Sequence, residues 1–360
     1  MRELMLMARP GYGAALREEA CRRFGVDGVA PADAVEPEVV RVGPDAALKA
    51  WREGRHALVF AAQWMSDPVR APLWNAGAPV DAGLVGGLEC LAGGTRPWTL
   101  HAFASGEAEG GAPSKAAGLL GDALLAACAE RSPGLYERYC PPRRAGAGAK
   151  VFQLCLTVRG VWWSVMQAED LLDPHPGGAH RMAFDAEAPC RSYLKIEEAF
   201  DVMGVEPRRG ERAVDLGAAP GGWSYALLKR GCEVLAVDRG PMKIPDRHPS
   251  GGRLRHLRVD GVGFRLPRDW TGVDWLVCDM LVPPGKTFDL LKRWVQAGLM
   301  RRFVVNVKIP QAHPDLVLEP IETFLLETPG VGFRIRHLYH DRREVTIMGG
   351  FSVKTKIKKR

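Results

Sequence analysis

The sequence predicts an α/β protein whose C-terminal half forms a doubly wound, mostly parallel sheet. Apolar runs typical of buried strands alternate with helical segments between residues 212 and 326. Three of these runs are followed directly by an aspartate, and the last two strand-like runs, 332–338 and 345–351, have no helix between them. The missing helix favours an antiparallel terminal pair. Strands are expected at 212–216, 233–237, 254–259, 273–278 and 303–307, and helices at 223–230, 287–299 and 315–326.

A glycine-rich turn connects the first of these strands to the first helix. Residues 215–223 read Asp-Leu-Gly-Ala-Ala-Pro-Gly-Gly-Trp, in which the glycines let the backbone approach a ligand and Pro220 stiffens the turn. The spacing differs from the G-x-G-x-x-G of dinucleotide enzymes. Asp215 would repel a pyrophosphate but could attract, directly or through water, the ammonium of a methionine moiety. The favoured ligand is therefore S-adenosylmethionine, held by Asp215, Gly217, Ala219, Pro220, Gly221, Gly222 and Trp223.

Four polar residues stand at the carboxyl ends of later strands. Asp238, Asp260 and Asp279 each follow an apolar run, and Lys308 ends the fifth strand. Asp238 lies about twenty residues past the glycine turn, where an acid that binds ribose hydroxyls belongs. A single aspartate there could be a simple turn former. Because the carboxyl ends of parallel strands meet at one edge of a sheet, all four are expected to line the same crevice.

Lys195 and Glu344 complete a pattern found in a known family. With Asp279 and Lys308 they resemble the K-D-K-E tetrad of RNA 2'-O-ribose methyltransferases related to the heat-shock ribosomal RNA methylase. The matching segments are RSYLKIEEAF at 191–200, APGGW at 219–223, NVK at 306–308 and REVT at 343–346. The resemblance extends from residue 189 to residue 351, about half of the chain.

The resemblance implies transfer of the methyl group of S-adenosylmethionine to a ribose 2'-oxygen of ribosomal RNA. HDRRE at 340–344 and the long N-terminal extension are similar to family members that modify a cytidine of 23S ribosomal RNA, expected here before the subunit is fully assembled. Two alternatives remain open: action on another RNA, or a non-catalytic RNA-binding assembly protein that keeps a cofactor pocket. The cofactor residues that the resemblance implies are Ser192, Ala219, Pro220, Gly221, Gly222, Asp238, Asp260 and Asp279.

The tetrad suits this chemistry, because a ribose hydroxyl is a poor nucleophile until its proton is removed. A lysine can accept that proton only if its pKa falls, and two nearby lysines repel each other's charge. The hypothesis is that Lys308 is the base and that Lys195 stabilises the developing oxyanion. Asp279 would orient Lys308, and Glu344 would position a lysine or the ribose. The methyl group is already activated by its sulfonium, so no metal is expected.

The N-terminal half predicts a separate α+β region. Strand-like runs at 3–8, 39–42 and 57–64 alternate with helical runs at 12–23 and 46–53. A strand at 98–104, a helix at 114–130 capped by Ser114, and a hairpin of 151–158 with 161–167 follow. The family architecture implies a ferredoxin-like unit at 1–75, a THUMP RNA-binding domain at 76–172, a linker at 173–188 and the catalytic domain at 189–360. A generic α+β packing domain would produce the same pattern.

The composition favours a polyanionic partner. The formal net charge is +7 and the isoelectric point is about 9.0, and both suit association with ribosomal RNA. The eight cysteines lack metal-like spacing, so reduced thiols are expected. No apolar run is long enough to span a membrane, and no coiled-coil seam is evident. A cytoplasmic monomer is therefore predicted, with candidate phosphate contacts at Arg143, Arg144, Arg208, Arg209, Arg301, Arg302 and 354–360.

Overall fold

The computed structural model describes residues 3–30, 35–53, 58–106 and 112–351. The chain divides into two compact units, Met1–His180 and Arg181–Arg360. Ala57 and the basic tail at 354–360 lie outside the described residues. Over the stretches that are described, none of the helices combines the length and the apolar character that crossing a bilayer requires.

The second unit contains the predicted doubly wound sheet. Its seven strands lie in the order β10-β9-β8-β11-β12-β14-β13. The five strands from β10 to β12 are mutually parallel, and β14 runs antiparallel between β12 and β13. The strands are β8 (Arg212–Leu216), β9 (Glu233–Val237), β10 (Arg253–Leu257), β11 (Val273–Cys278), β12 (Met300–Lys308), β13 (Val331–Arg336) and β14 (Glu344–Phe351). The predicted α/β class and the antiparallel terminal pair are confirmed.

Helices cover the apolar faces of this sheet. One buried cluster joins side chains from the sheet and from the helices α6 and α7, and Phe200 packs edge-on against Trp275 at 5.3 Å. Burial on both faces explains why these strands have continuous apolar sequences. The helices are α6 (Tyr193–Met203), α7 (Gly222–Lys229), α8 (Pro284–Gln296) and α9 (Asp315–Glu327).

The strand order fixes where a ligand can enter the second unit. From β8 the chain proceeds through β9 to β10 on one side, and then crosses to β11 and β12 on the other side. The carboxyl end of β8 is consequently the point where the winding direction reverses. Open α/β sheets bind ligands in the crevice at this point, because the flanking connections leave in opposite directions. The glycine-rich turn begins there.

The first unit contains two sheets. One is a three-stranded antiparallel sheet of order β2-β1-β3, and the other has four strands in the order β4-β7-β6-β5, with β5 and β6 parallel. The strands are β1 (Leu4–Ala8), β2 (Val39–Val42), β3 (Ala61–Ser66), β4 (Val69–Ala71), β5 (Trp98–Ala104), β6 (Lys150–Thr157) and β7 (Gly160–Gln167). The helices are α1 (Gly13–Phe24), α2 (Pro44–Glu53), α3 (Ala82–Glu89), α4 (Ala112–Arg131) and α5 (Pro133–Tyr136).

Several features of this unit differ from the sequence predictions, and the strand expected at 57–64 is observed at Ala61–Ser66. Helix α4 begins at Ala112, so Ser114 lies within the first turn and is not the N-cap. The segment expected to begin a linker is also ordered against β3, because the Gln63 side chain donates hydrogen bonds to the carbonyls of Asp173 (2.8 Å) and His175 (3.3 Å). Residues 173–180 therefore belong to the first unit.

Candidate active site

The glycine turn after β8 is held closely by its neighbours. Gly217 and Gly221 have φ values of +80° and +118°, a region that favours glycine. A Cβ on Gly217 would lie 2.6 Å from Cγ of Met280. A Cβ on Gly222 would lie 2.5 Å from Oγ of Ser192. These glycines are thus required by the packing of the turn as well as by any approaching ligand.

Ser192 and Trp223 connect the turn to the start of α6. The indole nitrogen of Trp223 donates a hydrogen bond to the Ser192 carbonyl at 2.9 Å, and the Trp223 side chain is buried. Oγ of Ser192 lies 3.0 Å from Sγ of Cys190 and beside Gly222. Trp223 is therefore a structural residue of the turn, whereas the half-buried Ser192 stands at its edge.

Asp215 has a different place from the predicted one. Its side chain is 1% exposed, and its carboxyl accepts a hydrogen bond from the Ser224 hydroxyl at 2.7 Å. Burial raises the pKa of Asp215 to about 7, although the Ser224 hydrogen bond opposes the shift. The expectation that Asp215 attracts a ligand ammonium directly is therefore not supported. The carboxyl instead joins β8 to α7.

Asp238 and Asp260 lie beyond the ends of β9 and β10. The two oxygens of Asp238 accept hydrogen bonds from the backbone nitrogens of Ala219 (3.1 Å) and Gly240 (2.7 Å). Asp238 is half-buried, and its remaining lone pairs can accept bonds from ligand hydroxyls. Asp260 is exposed and forms an ion pair with Arg239 at 3.0 Å. Asp238 thus shapes the turn and still faces the crevice.

The four tetrad residues form one connected cluster. Nζ of Lys195 lies 3.2 Å from Oδ2 of Asp279 and 2.5 Å from Oε1 of Glu344. Nζ of Lys308 donates to the other Glu344 oxygen, Oε2, at 2.7 Å. Lys308 and Glu344 are register partners on β12 and β14, which explains why residues far apart in sequence meet here. The antiparallel direction of β14 brings its first residue to the edge where the parallel strands end.

The electrostatics of the cluster differ between its members. Burial disfavours an ionised Glu344, but hydrogen bonds and charges from Lys195 and Lys308 outweigh it and lower the pKa to about 2. Burial likewise disfavours the Lys195 ammonium, but the charges of Asp279 and Glu344 raise its pKa. Lys195 is therefore a permanent cation at neutral pH. Asp279 contacts Lys195 and not Lys308, which corrects the predicted pairing.

Sequence reasoning assigned no role to a buried hydrogen-bond chain behind Asp279. Nδ2 of Asn306 donates to Oδ1 of Asp279 at 3.2 Å, so the amide oxygen of Asn306 faces the Thr346 hydroxyl at 2.8 Å. Asn306 and Thr346 are register partners, two residues before Lys308 and two after Glu344. Both residues lie within the quoted motifs, but only the strand pairing reveals that they touch.

The buried hydrogen-bond chain of Asp279, Asn306 and Thr346 ends at Asp341, whose carboxyl lies 2.9 Å from the Thr346 hydroxyl. One hydroxyl carries one proton and cannot donate to both Asn306 and Asp341. Asp341 must therefore carry a proton and donate it to Thr346. Burial raises the pKa of Asp341 well above its ordinary value, which agrees with this assignment.

Glu198 is another buried acid that the sequence did not indicate. It lies one helical turn after Lys195 on α6 and is 1% exposed. Its carboxylate accepts hydrogen bonds from the backbone nitrogens of Tyr339 (2.7 Å) and His340 (3.0 Å) and lies 2.8 Å from Nδ1 of His340. Lys195 and Glu198 thus attach one helix to both Glu344 and the loop that precedes it.

A family model matches part of the second unit. Residues 188–302 match the model of the FtsJ-like methyltransferase family. That stretch runs from just before α6 to the start of β12, and includes the glycine turn, Lys195 and Asp279. This part of the chain therefore resembles an FtsJ-like methyltransferase domain.

Similar proteins carry the name of one kind of ribosomal RNA methyltransferase. The chain is similar to the ribosomal RNA large subunit methyltransferase M of Laribacter hongkongensis, with 45% identity over 188 residues, or 48% of this chain and 51% of the relative. The protein of the same name from Shewanella frigidimarina is 36% identical over 237 residues, 62% of this chain and 59% of the relative. The aligned part of the chain thus spans about half the length of these curated relatives.

Likeness to solved structures is weak. The fibrillarin pre-rRNA processing protein of Methanococcus jannaschii has a TM-score of 0.33 and 13% sequence identity, and covers 53% of this chain and 79% of the fibrillarin chain. A score of this size supports no statement about ligands or activity, so the resemblance to FtsJ-like methyltransferases rests on the sequence matches alone.

Proposed function

We propose that this protein transfers the methyl group of S-adenosylmethionine to a ribose 2'-oxygen of ribosomal RNA. The observation that carries the proposal is the cluster of Lys195, Asp279, Lys308 and Glu344 beside the glycine turn at the end of β8. The names of the relatives and the FtsJ-like family match point to the same chemistry. By analogy with the sequence resemblance, the target is a cytidine of 23S ribosomal RNA.

The crevice has groups that suit S-adenosylmethionine. Asp238 presents a half-buried carboxylate for ribose hydroxyls, and the backbone of the glycine turn can approach the ligand closely. Ser192 and Asp260 lie at the edge of the same region, whereas Asp215 and Trp223 act from inside the protein. The cofactor supplies a methyl group that its sulfonium has already activated.

Each of the four tetrad residues has its own role in the methyl transfer. Lys195 keeps its ammonium charge, so it stabilises the oxyanion that develops on the ribose. Lys308 is the base that would accept the proton of the 2'-hydroxyl when the bound cofactor supplies its methyl group to that oxygen. Glu344 holds both lysines through its separate oxygens, and Asp279 fixes Lys195.

The remaining proposals concern the domains of the chain, its oligomeric state and its location in the cell. We assign residues 1–75 to a ferredoxin-like unit, 76–172 to a THUMP domain that captures RNA and 189–360 to catalysis. The net charge of +7 supports an RNA partner. We further propose a cytoplasmic monomer that acts before the large subunit is complete.

Methyl transfer by a Lys308→Ala variant tests the proposal. Purified protein is incubated with labelled S-adenosylmethionine and a 23S ribosomal RNA transcript, and the modified nucleotide is located by mass spectrometry. We expect the variant to lose about 100-fold or more of the rate, because general-base catalysis contributes this much. Lys286→Ala is the control, since Lys286 is an exposed lysine of α8. Undiminished transfer by Lys308→Ala, or label outside a ribose 2'-oxygen, would contradict the proposal.

A further inference from the structure

The segment between β7 and the end of the first unit brings three metal-binding side chains together. Asp173, His175 and His180 each offer one ligand atom, and these atoms all lie within 4.8 Å of one another. Asp173 and His180 are buried, and His175 is half-buried. The imidazole rings of His175 and His180 have centroids 4.0 Å apart, and Nδ1 of His175 lies 2.9 Å from Oδ1 of Asp173.

We propose that Asp173, His175 and His180 bind a transition-metal ion, with Zn²⁺ the best match to the ligands. Two imidazoles with one carboxylate are a donor set that Zn²⁺ uses, whereas Mg²⁺ and Ca²⁺ prefer oxygen alone. Ligand atoms in a tetrahedral zinc site lie roughly 3.4 Å apart, given bond lengths of about 2.1 Å. Side-chain rotations that move the ligand atoms by about an ångström are therefore enough to complete the site.

The backbone around the three residues is fixed in advance. The Gln63 side chain binds the carbonyls of Asp173 and His175, and Nη2 of Arg9 donates to the Gly178 carbonyl at 2.9 Å. Gly177 and Gly178 have φ values of +61° and +71°, which turn the chain back so that position 180 returns to position 173. A loop held in this way supplies ligands at a small entropic cost, which favours metal affinity.

A fourth imidazole lies beneath the loop. A Cβ on Gly177 would meet the Phe103 ring at 2.9 Å, so the turn packs on the face of β5 that carries Phe103. His101 is two residues away on the same strand and points to the same face. It is 2% exposed, and its Nδ1 has no hydrogen-bond partner among the described residues. Such a buried polar atom marks a site where a further ligand is expected.

The site would be structural, because it closes the loop 173–180 onto β3 and β5 of the first unit. It was missed in the sequence because the D-x-H-x₄-H spacing lies in a segment of prolines and glycines that indicates a linker. The inference is independent of the proposed methyl transfer, since it concerns only side chains of the first unit.

Metal titration of the untagged full-length chain tests the proposal. The protein is treated with a chelator, dialysed and titrated with Zn²⁺ against a chromophoric competitor. We expect one Zn²⁺ per chain, and a loss of affinity of ~100-fold or more in His175→Ala and His180→Ala. His248→Ala is the matched control, because this imidazole pairs with Ser250 in the other unit. Binding equally tight in the two ligand variants and in the wild type would overturn the site.

X-ray absorption of the wild-type Zn²⁺ complex keeps the test decisive if a variant fails to fold. We expect a first shell of nitrogen and oxygen with at least two imidazoles. A sulfur ligand would overturn the proposal, because it would assign the ion to some of the eight free cysteines. Absence of stoichiometric binding by the wild-type protein would also overturn it and leave a hydrogen-bonded His175–Asp173 pair as the role of the cluster.

Discussion

Two buried carboxyl groups in the second unit have hydrogen-bond partners that bear on whether each carboxyl is protonated. Thr346 has one hydroxyl proton and two oxygen neighbours, Asn306 and Asp341, so a buried carboxyl must remain protonated for the chain to be satisfied. Asp215 is a second buried carboxyl with a raised pKa, and its partner is Ser224. Both acids stand behind the reactive cluster and have structural roles that the motif positions alone do not suggest.

Removal of the Thr346 hydroxyl should be costly. In Thr346→Val, Asn306 and Asp341 lose a buried partner, so we expect the free energy of unfolding to fall by about 1–3 kcal/mol. Urea unfolding measures this change. Thr287→Val is the matched control, because Oγ1 of Thr287 is buried but has no partner among the described residues. A control that loses as much stability as Thr346→Val would show that the hydrogen-bond chain is not the cause.

Asp215 should make stability depend on pH. The fold raises its pKa from 3.8 to about 7, so its contribution to the free energy of unfolding is complete below pH 3.8 and is lost as the pH rises through about 7. Asp215→Asn stays neutral, and its stability relative to the wild type should therefore increase over this window. Urea unfolding at a series of pH values measures the difference. The exposed Asp260→Asn serves as the control, and an Asp215→Asn curve parallel to the wild type would refute the assignment.

At the scale of elements, the central strands could be predicted almost residue by residue. β8, β9 and β11 begin and end as expected, because strands buried on both faces have continuous apolar sequences with clear ends. The start of α4 was predicted less well, because Ser114 is a residue type that favours the N-cap but lies inside the helix. The helix boundary depends on packing that a local pattern does not contain.

The candidate site could be predicted as a set of residues but not as a set of contacts. Lys195, Asp279, Lys308 and Glu344 are recognisable from their motifs. The pairing of Asp279 with Lys195 depends on the direction of α6 relative to the sheet. Glu198 was missed because a glutamate on an amphipathic helix normally predicts a solvated surface, and only the fold reveals the backbone nitrogens that it binds.

The insertion of β14 between β12 and β13 gives a prediction about glycine. A Cβ on Gly349 would overlap the Gly332 carbonyl and lie 2.9 Å from Cζ of Phe303. We expect Gly349→Ala to destabilise the protein by about 1–3 kcal/mol, because a packed sheet must shift to admit the methyl group. Gly332→Ala is the control, since nothing lies within 4 Å of its Cβ position. Thermal unfolding of the two variants checks this, and equal melting temperatures would contradict it.

At the scale of the whole molecule, the positive charge is distributed unequally between paired and unpaired arginines. Arg301 and Arg302 lie near acids, at 3.0 Å from Asp274 and 4.0 Å from Glu211. Arg143 and Arg144 are exposed and form no ion pair with any residue that the structure describes. The second pair is therefore the better candidate for phosphate contacts, because it has no local ion pairs to break.

Salt dependence of RNA binding can test this difference. The slope of log affinity against log salt concentration reports the number of phosphates neutralised, at about 0.7 per contact for single strands. We expect Arg143→Ala/Arg144→Ala to reduce that slope by about 1.4. Arg301→Ala should change it little, because this side chain is already paired with Asp274. Filter binding of a ribosomal RNA fragment measures both slopes, and the reverse order would exclude the Arg143 pair.

The register of β14 has a consequence for how the active protein arises during synthesis. Among the described residues Glu344 begins the last strand, β14, and it is the counter-ion that Lys195 and Lys308 share. A nascent chain that stops before this residue contains the glycine turn and both amines but leaves the amines to repel each other. Products that terminate before Glu344 should consequently fail to methylate RNA, so that activity is acquired only after translation has passed this residue.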